Sequence, residues 1–133
     1  MSYVGARVKR KEDWRLLRGA GKFVGDIRLT GMVHAAILRS PCAHARILNI
    51  DTKPAAKAPG VLGVFTAADI PAMNTIPMRT GRIPGLERSQ QTPLAKEKVR
   101  YVGDPVAVVV AEDRYVAEDA LELIEVEYEQ LGA

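Results

Sequence analysis

The stretch Val99-Arg100-Tyr101-Val102-Gly103-Asp104-Pro105-Val106-Ala107-Val108-Val109-Val110-Ala111 decides the fold. From Val106 onward every position is apolar, so this segment has no polar face to give to water. It predicts a central strand, Val106–Ala111, covered on both sides. Val99–Val102 predicts a strand before it, with Gly103-Asp104-Pro105 as the turn between them. Downstream, Asp113 is placed to cap a helix from about Arg114 to Leu123. Val116, Ala120, Leu123 and Ile124 share one helical face, and Glu118, Asp119 and Glu122 the other. Ile124, Val126 and Tyr128 then alternate with Glu125, Glu127 and Glu129, which predicts a half-exposed strand with one acidic face.

Working upstream, Met32–Arg39 and His44–Ile50 predict two more strands. Ser40-Pro41-Cys42-Ala43 turns between them, so they either pair directly or bend into neighbouring sheets. In the second strand Ala45, Ile47 and Asn49 alternate with Arg46, Leu48 and Ile50. Thr52 is positioned to cap a short helix with Pro54 in its first turn, ending at Pro59-Gly60. Val61–Phe65 reads as a strand, and Thr66-Ala67-Ala68-Asp69 has capping-box spacing with Asp in place of Glu. Pro71 to Lys96 carries Pro71, Pro77, Pro84 and Pro93 with Gly81 and Gly85 and no period, so 71–96 is expected to be a long loop. Residues 1–22 read as a basic arm with a helical turn near Asp13–Arg18. Gly19, Gly21 and Gly25 punctuate a loop and a short strand around Lys22–Ile27. The expected architecture is α+β, a mixed sheet with short helices and one longer C-terminal helix, in one domain over residues 1–133.

A chain of 133 residues, 47% hydrophobic and 26% charged, has the balance of a folded domain with a real core. No apolar run approaches the ~20 residues of a membrane helix, so no membrane span is expected. A single cysteine, Cys42, excludes an internal disulfide framework and fits a reducing cytoplasm. Charge is uneven. Residues 1–50 hold ten Lys/Arg against three Asp/Glu, whereas residues 112–133 hold one against eight. Nucleic acid is not an expected partner of the basic head, because the seven aromatic residues are not interleaved with its basic side chains as stacking requires.

Each candidate for chemistry meets a plainer reading. Gly19-Ala20-Gly21-Lys22 suggests a phosphate loop, but Leu16 and Phe23 stand where a Walker loop needs Gly and Ser/Thr. Val24 stands where a dinucleotide fingerprint needs its third Gly. Cys42 and His44 put a thiol near an imidazole, but no third member orients them. His34, Cys42 and His44 would lack a fourth zinc ligand. Glu125, Glu127 and Glu129 lie about 6.6 Å apart along one strand face and could hold a hard cation weakly, although a charged face that discourages edge pairing is the commoner arrangement. Asp104 suits a turn through its own backbone bonds. The residues alone therefore assign no catalytic, cofactor-binding or metal-binding position.

Several segments together resemble one family. They are Val4-Gly5-Ala6-Arg7-Val8-Lys9-Arg10, Phe23-Val24-Gly25-Asp26-Ile27, and most specifically Arg39-Ser40-Pro41-Cys42-Ala43-His44-Ala45-Arg46-Ile47. Phe65-Thr66-Ala67-Ala68-Asp69-Ile70, Val99 to Ala107, and Ala117-Glu118-Asp119-Ala120 through Tyr128 complete the set. In this order they resemble the N-terminal a/b hammerhead domain of the molybdenum-binding large subunit of the xanthine dehydrogenase/aldehyde oxidase family, nearest the carbon monoxide dehydrogenase type. Trp14, Cys42 and Asp104 stand where Pro, His and Glu are commoner in that family. The resemblance implies an oxidoreductase in which molybdenum–molybdopterin is bound by further domains of the large subunit. It also implies iron–sulfur clusters and FAD on partner subunits. No catalytic residue of the family maps onto this chain, so the resemblance implies a scaffold or interaction domain that is not catalytic alone and looks like a piece of the larger subunit. The alternative expectation is a free-standing binding module of the same fold.

Overall fold

The structure is a computed structural model and describes residues 3–70, 72–77, 85 and 90–132. The expected loop 71–96 therefore falls partly outside the described residues. The chain divides into two compact units, Met1–Met32 and Val33–Ala133.

The first unit holds a one-turn helix, α1 (Asp13–Leu17), and a 3-10 turn, Val24–Asp26. None of its described residues is buried. Local pairs shape it: Arg10 with Asp13 at 3.0 Å, Arg15 with Glu12 at 2.9 Å, and the Arg18 guanidinium 4.0 Å from the centre of the exposed Trp14 ring. The short strand expected around Lys22–Ile27 is not formed. Asp26 instead reaches back to accept the Phe23 amide at 3.0 Å, which closes the turn.

The second unit contains two three-stranded antiparallel sheets. β1 (His34–Arg39), β5 (Pro105–Ala111) and β3 (Val61–Thr66) form the first, with β5 in the middle. β4 (Lys98–Val99), β2 (Ala45–Asp51) and β6 (Glu125–Gln130) form the second, with β2 in the middle. The apolar run thus lies centrally, as its lack of a polar face demands. The consecutive strands β1 and β2 do not pair; the chain changes sheets between them. The strand expected over Val99–Val102 is only β4, because the Arg100 amide is taken by the Asp104 side chain rather than by a ladder.

Helix α3 (Arg114–Leu121) lies on the inner face of the first sheet. Asp113 caps it, its carboxylate accepting the Tyr115 amide at 2.8 Å. Asp113→Ala should cost about 1 kcal/mol, read as a lower midpoint in urea with an unchanged slope. The buried helical residues are Ala117 and Ala120, small enough for the helix backbone to sit close to Ala107, Val109 and Ala111. The helix is shorter than expected, ending before Leu123, which lies outside the core and is exposed, while Ile124 is buried.

The second sheet covers a smaller core of Ala45, Ala95, Val99 and Val106, joined by Ile47, Ile50, Val126 and Tyr128. Strict alternation would put Ile50 opposite to Ile47. A register shift between Ile47 and Asn49 in the β2–β6 pair leaves Leu48 exposed and brings Ile50 back to the inner side. The short helix α2 (Lys53–Ala56) carries Pro54 in its first turn, but Thr52 makes no capping bond. Asp51 does this instead, accepting the Lys53 amide at 3.0 Å. At Thr66 the capping box forms as expected. Asp69 accepts both the Thr66 amide at 2.7 Å and its hydroxyl at 2.9 Å, and these bonds hold the Asp69 carboxyl below its ordinary range.

Candidate functional site

The two most distinctive stretches of the sequence meet in space. Where β1 ends, the Ser40 amide donates to the Asp104 carbonyl at 2.9 Å, and the Ser40 carbonyl accepts the Gly103 amide at 2.8 Å. Arg39 Nη1 donates to the Gly103 carbonyl at 2.9 Å. The Ser40 hydroxyl accepts the Cys42 amide and donates to the Cys42 carbonyl, both at 3.0 Å, so it closes its own turn. Gly103 sits at φ +93°, a conformation that glycine adopts without strain. Asp104 is 6% exposed and its carboxylate accepts the Arg100 amide at 2.9 Å. One residue on, the Pro105 carbonyl accepts the Ala95 amide at 2.8 Å. Tyr128 reaches this junction from β6. Burial pushes its phenol above the ordinary value, against the opposing pull of a hydrogen bond with Ser40.

The junction is a clasp of hydrogen bonds between the end of β1 and the turn before β5. Most of its polar groups are spent on backbone partners, and no buried side-chain nitrogen or oxygen among the described residues lacks a partner. Asp104 is thus a turn residue, in keeping with the plainer reading of it. Ser40 was legible only as part of a turn, and its hydroxyl-to-backbone loop is the local bonding that makes Ser common in turns.

The other candidates are also accounted for. Gly19, at φ +69°, ends α1. Its amide donates to the Leu16 carbonyl at 3.0 Å, and the Ala20 amide donates to the Arg15 carbonyl at 3.0 Å, a Schellman pairing. A side chain at Gly21 would come within 2.8 Å of Leu16 Cδ2. The Gly-Ala-Gly-Lys run is therefore a helix terminator. His44 Nδ1 donates to the Gly132 carbonyl at 2.8 Å, and the Leu131 amide donates to the His44 carbonyl at 3.0 Å. That imidazole ties down the segment after β6, while the Cys42 thiol is half-buried against the smaller core. His34 lies at the far end of β1 from Ser40, about 20 Å away by strand rise. Glu125 and Glu127 are exposed, and Glu129 pairs with Arg46 across the strands at 2.7 Å. Both of these side chains are about half exposed, so their pairing contributes under about 1 kcal/mol. Among the described residues, no three His, Cys, Asp or Glu side chains gather as metal ligands would.

Residues 18–132 match the family model described as the a/b hammerhead domain of aldehyde oxidase and xanthine dehydrogenase. The chain belongs to that family. The hammerhead domain is 48% identical over 128 residues to the nicotine 6-hydroxylase large subunit of Paenarthrobacter nicotinovorans, covering 96% of this chain and 16% of that protein. It is also 48% identical over 128 residues to the carbon monoxide dehydrogenase large chain of Afipia carboxidovorans, covering 96% of this chain and 15% of that one. Among solved structures it superposes on a chain of the Cu,Mo-CO dehydrogenase with a TM-score of 0.83 at 46% identity, covering 96% of this chain and 15% of that chain. Quinoline 2-oxidoreductase from Pseudomonas putida 86 gives a TM-score of 0.77 at 45% identity, covering 95% and 16% respectively. The hammerhead chain therefore spans about one sixth of the length of these relatives. No helix among its described residues is long and apolar enough to cross a membrane.

Proposed function

We propose that this chain acts as the hammerhead scaffold of the large subunit of a molybdenum-dependent oxidoreductase, in the cytoplasm. The supporting observation is its 48% identity, over 96% of its length, to large subunits of which it forms 15–16%. In this reading molybdopterin is bound by further domains of the large subunit. Iron–sulfur and flavin subunits are the partners that carry electrons away. Among the described residues no three His, Cys, Asp or Glu side chains converge, and no chemical step is assigned to these residues. Their contribution is a rigid two-sheet body, closed by the Ser40–Asp104 clasp, against which cofactor-bearing domains are positioned. The basic side chains of residues 1–22 take part in docking in this reading, because a charged interface aids orientation and encounter.

The test is size-exclusion chromatography with light scattering, on this chain alone and after co-expression with the polypeptide carrying the molybdopterin-binding domains. A mixed peak containing molybdenum and supporting dye-linked substrate oxidation is the expected result. A chain that elutes by itself, with no molybdenum or activity in its peak, would overturn the reading and favour a free-standing module.

A further inference from the structure

The first sheet has a second face. In an antiparallel sheet directly opposed residues point to the same side. Ile37 opposes Val108, which opposes Phe65; Ala35 opposes Val110, which opposes Gly63. These two rows cross all three strands on the side away from α3. No position in them is charged or polar, in a chain that is 26% charged. Ile37 is 42% exposed and Phe65 44% exposed. The Phe65 ring lies over Gly63, where a side chain would meet its Cε2 and Cζ at 3.0 Å, so the glycine makes the face flat. The same side of β5 continues at Val106 into the smaller core, which is fully buried by the second sheet. The face is thus an apolar surface running out of a core. A sheet that faced water here would alternate, with polar residues at Ile37, Val108 and Phe65.

We propose that this face seats the molybdopterin-binding part of the same large subunit, through an apolar surface on that part. The proposal rests on the large-subunit reading above. The relatives place five sixths of their polypeptide outside the matched region, so in them the occupant is tethered to the domain and present at high effective concentration. A permanent contact within one chain suits an uncharged surface that resembles a cut core. Separately encoded subunits that exchange in solution meet through more polar surfaces.

The test uses the co-expressed complex of this chain with its cofactor-domain polypeptide. Ile37→Lys and Phe65→Lys should each weaken association tenfold or more, because a buried lysine would meet an apolar partner. Leu48→Lys, also at an exposed apolar position but on the second sheet, should leave association unchanged. Thermal unfolding of each free variant checks that it still folds. Carbene footprinting of the wild-type chain needs no substitution, and should show Ile37 and Phe65 protected in the complex. Three outcomes overturn the proposal. Association of both lysine variants at wild-type strength, with Ile37 and Phe65 still labelled, removes this face alone and leaves the scaffold reading standing. Failure of the wild-type chain to associate removes both. A wild-type homodimer that Ile37→Lys converts to monomer assigns the face to a second copy.

Discussion

Asp104→Ala lowers the stability of this chain by about 2 kcal/mol, roughly 8 °C in Tm at this size. The Asp104 carboxylate is nearly buried and accepts the Arg100 amide, holding the turn that leads into the central strand. Truncation leaves that amide without its acceptor at a site water does not readily reach. It also loosens the turn that presents the Asp104 carbonyl to Ser40 and the Gly103 amide to the Ser40 carbonyl. Asp104→Asn keeps an oxygen at the same place and should lose no more than half as much. Urea midpoints of the two variants provide the check. Equal losses would show that charge, rather than the acceptor, is what matters at this position.

Val109→Ala should be costlier still, at about 2.5 kcal/mol, or roughly 10 °C in Tm. Val109 is wholly buried in the middle of the central strand, opposed by Ala36 on one side and Val64 on the other, with Ala117 and Ala120 of α3 in the core below it. The surrounding residues are mostly alanines on firmly paired backbone, so they have few atoms with which to fill the gap. Val108, one residue earlier, points to the opposite face and is only partly buried. Val108→Ala in the free chain should cost less than half as much. Calorimetry on both variants tests this. Similar losses would contradict the assignment of the two residues to opposite faces.

These effects explain what could be read in the sequence. The central position of β5 was legible because six consecutive apolar residues, Val106 to Ala111, leave no side for solvent. The Asp113 cap, the Thr66–Asp69 box and the alternation of β6 were legible because each depends on residues within four positions of one another. The division into two sheets was not, since Ser40-Pro41-Cys42-Ala43 fits a turn whether the chain reverses or changes sheet. The Leu48 bulge was hidden because a single extra residue breaks a two-residue period without leaving a compositional mark. Leu123 falls off the helical face because the helix ends two residues before it. Asp51 competed with Thr52 for the same cap. The clasp was half legible. Asp104 is legible as a turn residue, but its bond to Arg100, which cuts β4 short, depends on the fold. The family came from the resemblance, borne out by the family match and the large-subunit relatives, and from no constellation of reactive side chains.

The order of strands in each sheet also sets a timetable. β1 is made early but pairs with β5, some seventy residues later, and β3 pairs with β5 as well. β2 gains its long partner only when β6, at Glu125–Gln130, has been synthesised. The first sheet cannot close before β5, which ends at Ala111, and the second waits longer, for β6, so the loop entropy of each closure falls due late. Such a domain folds late and slowly for its size. On the ribosome the edges of β1 and β3 wait unpaired for β5, and that of β2 for β6, exposed meanwhile to the wrong partners.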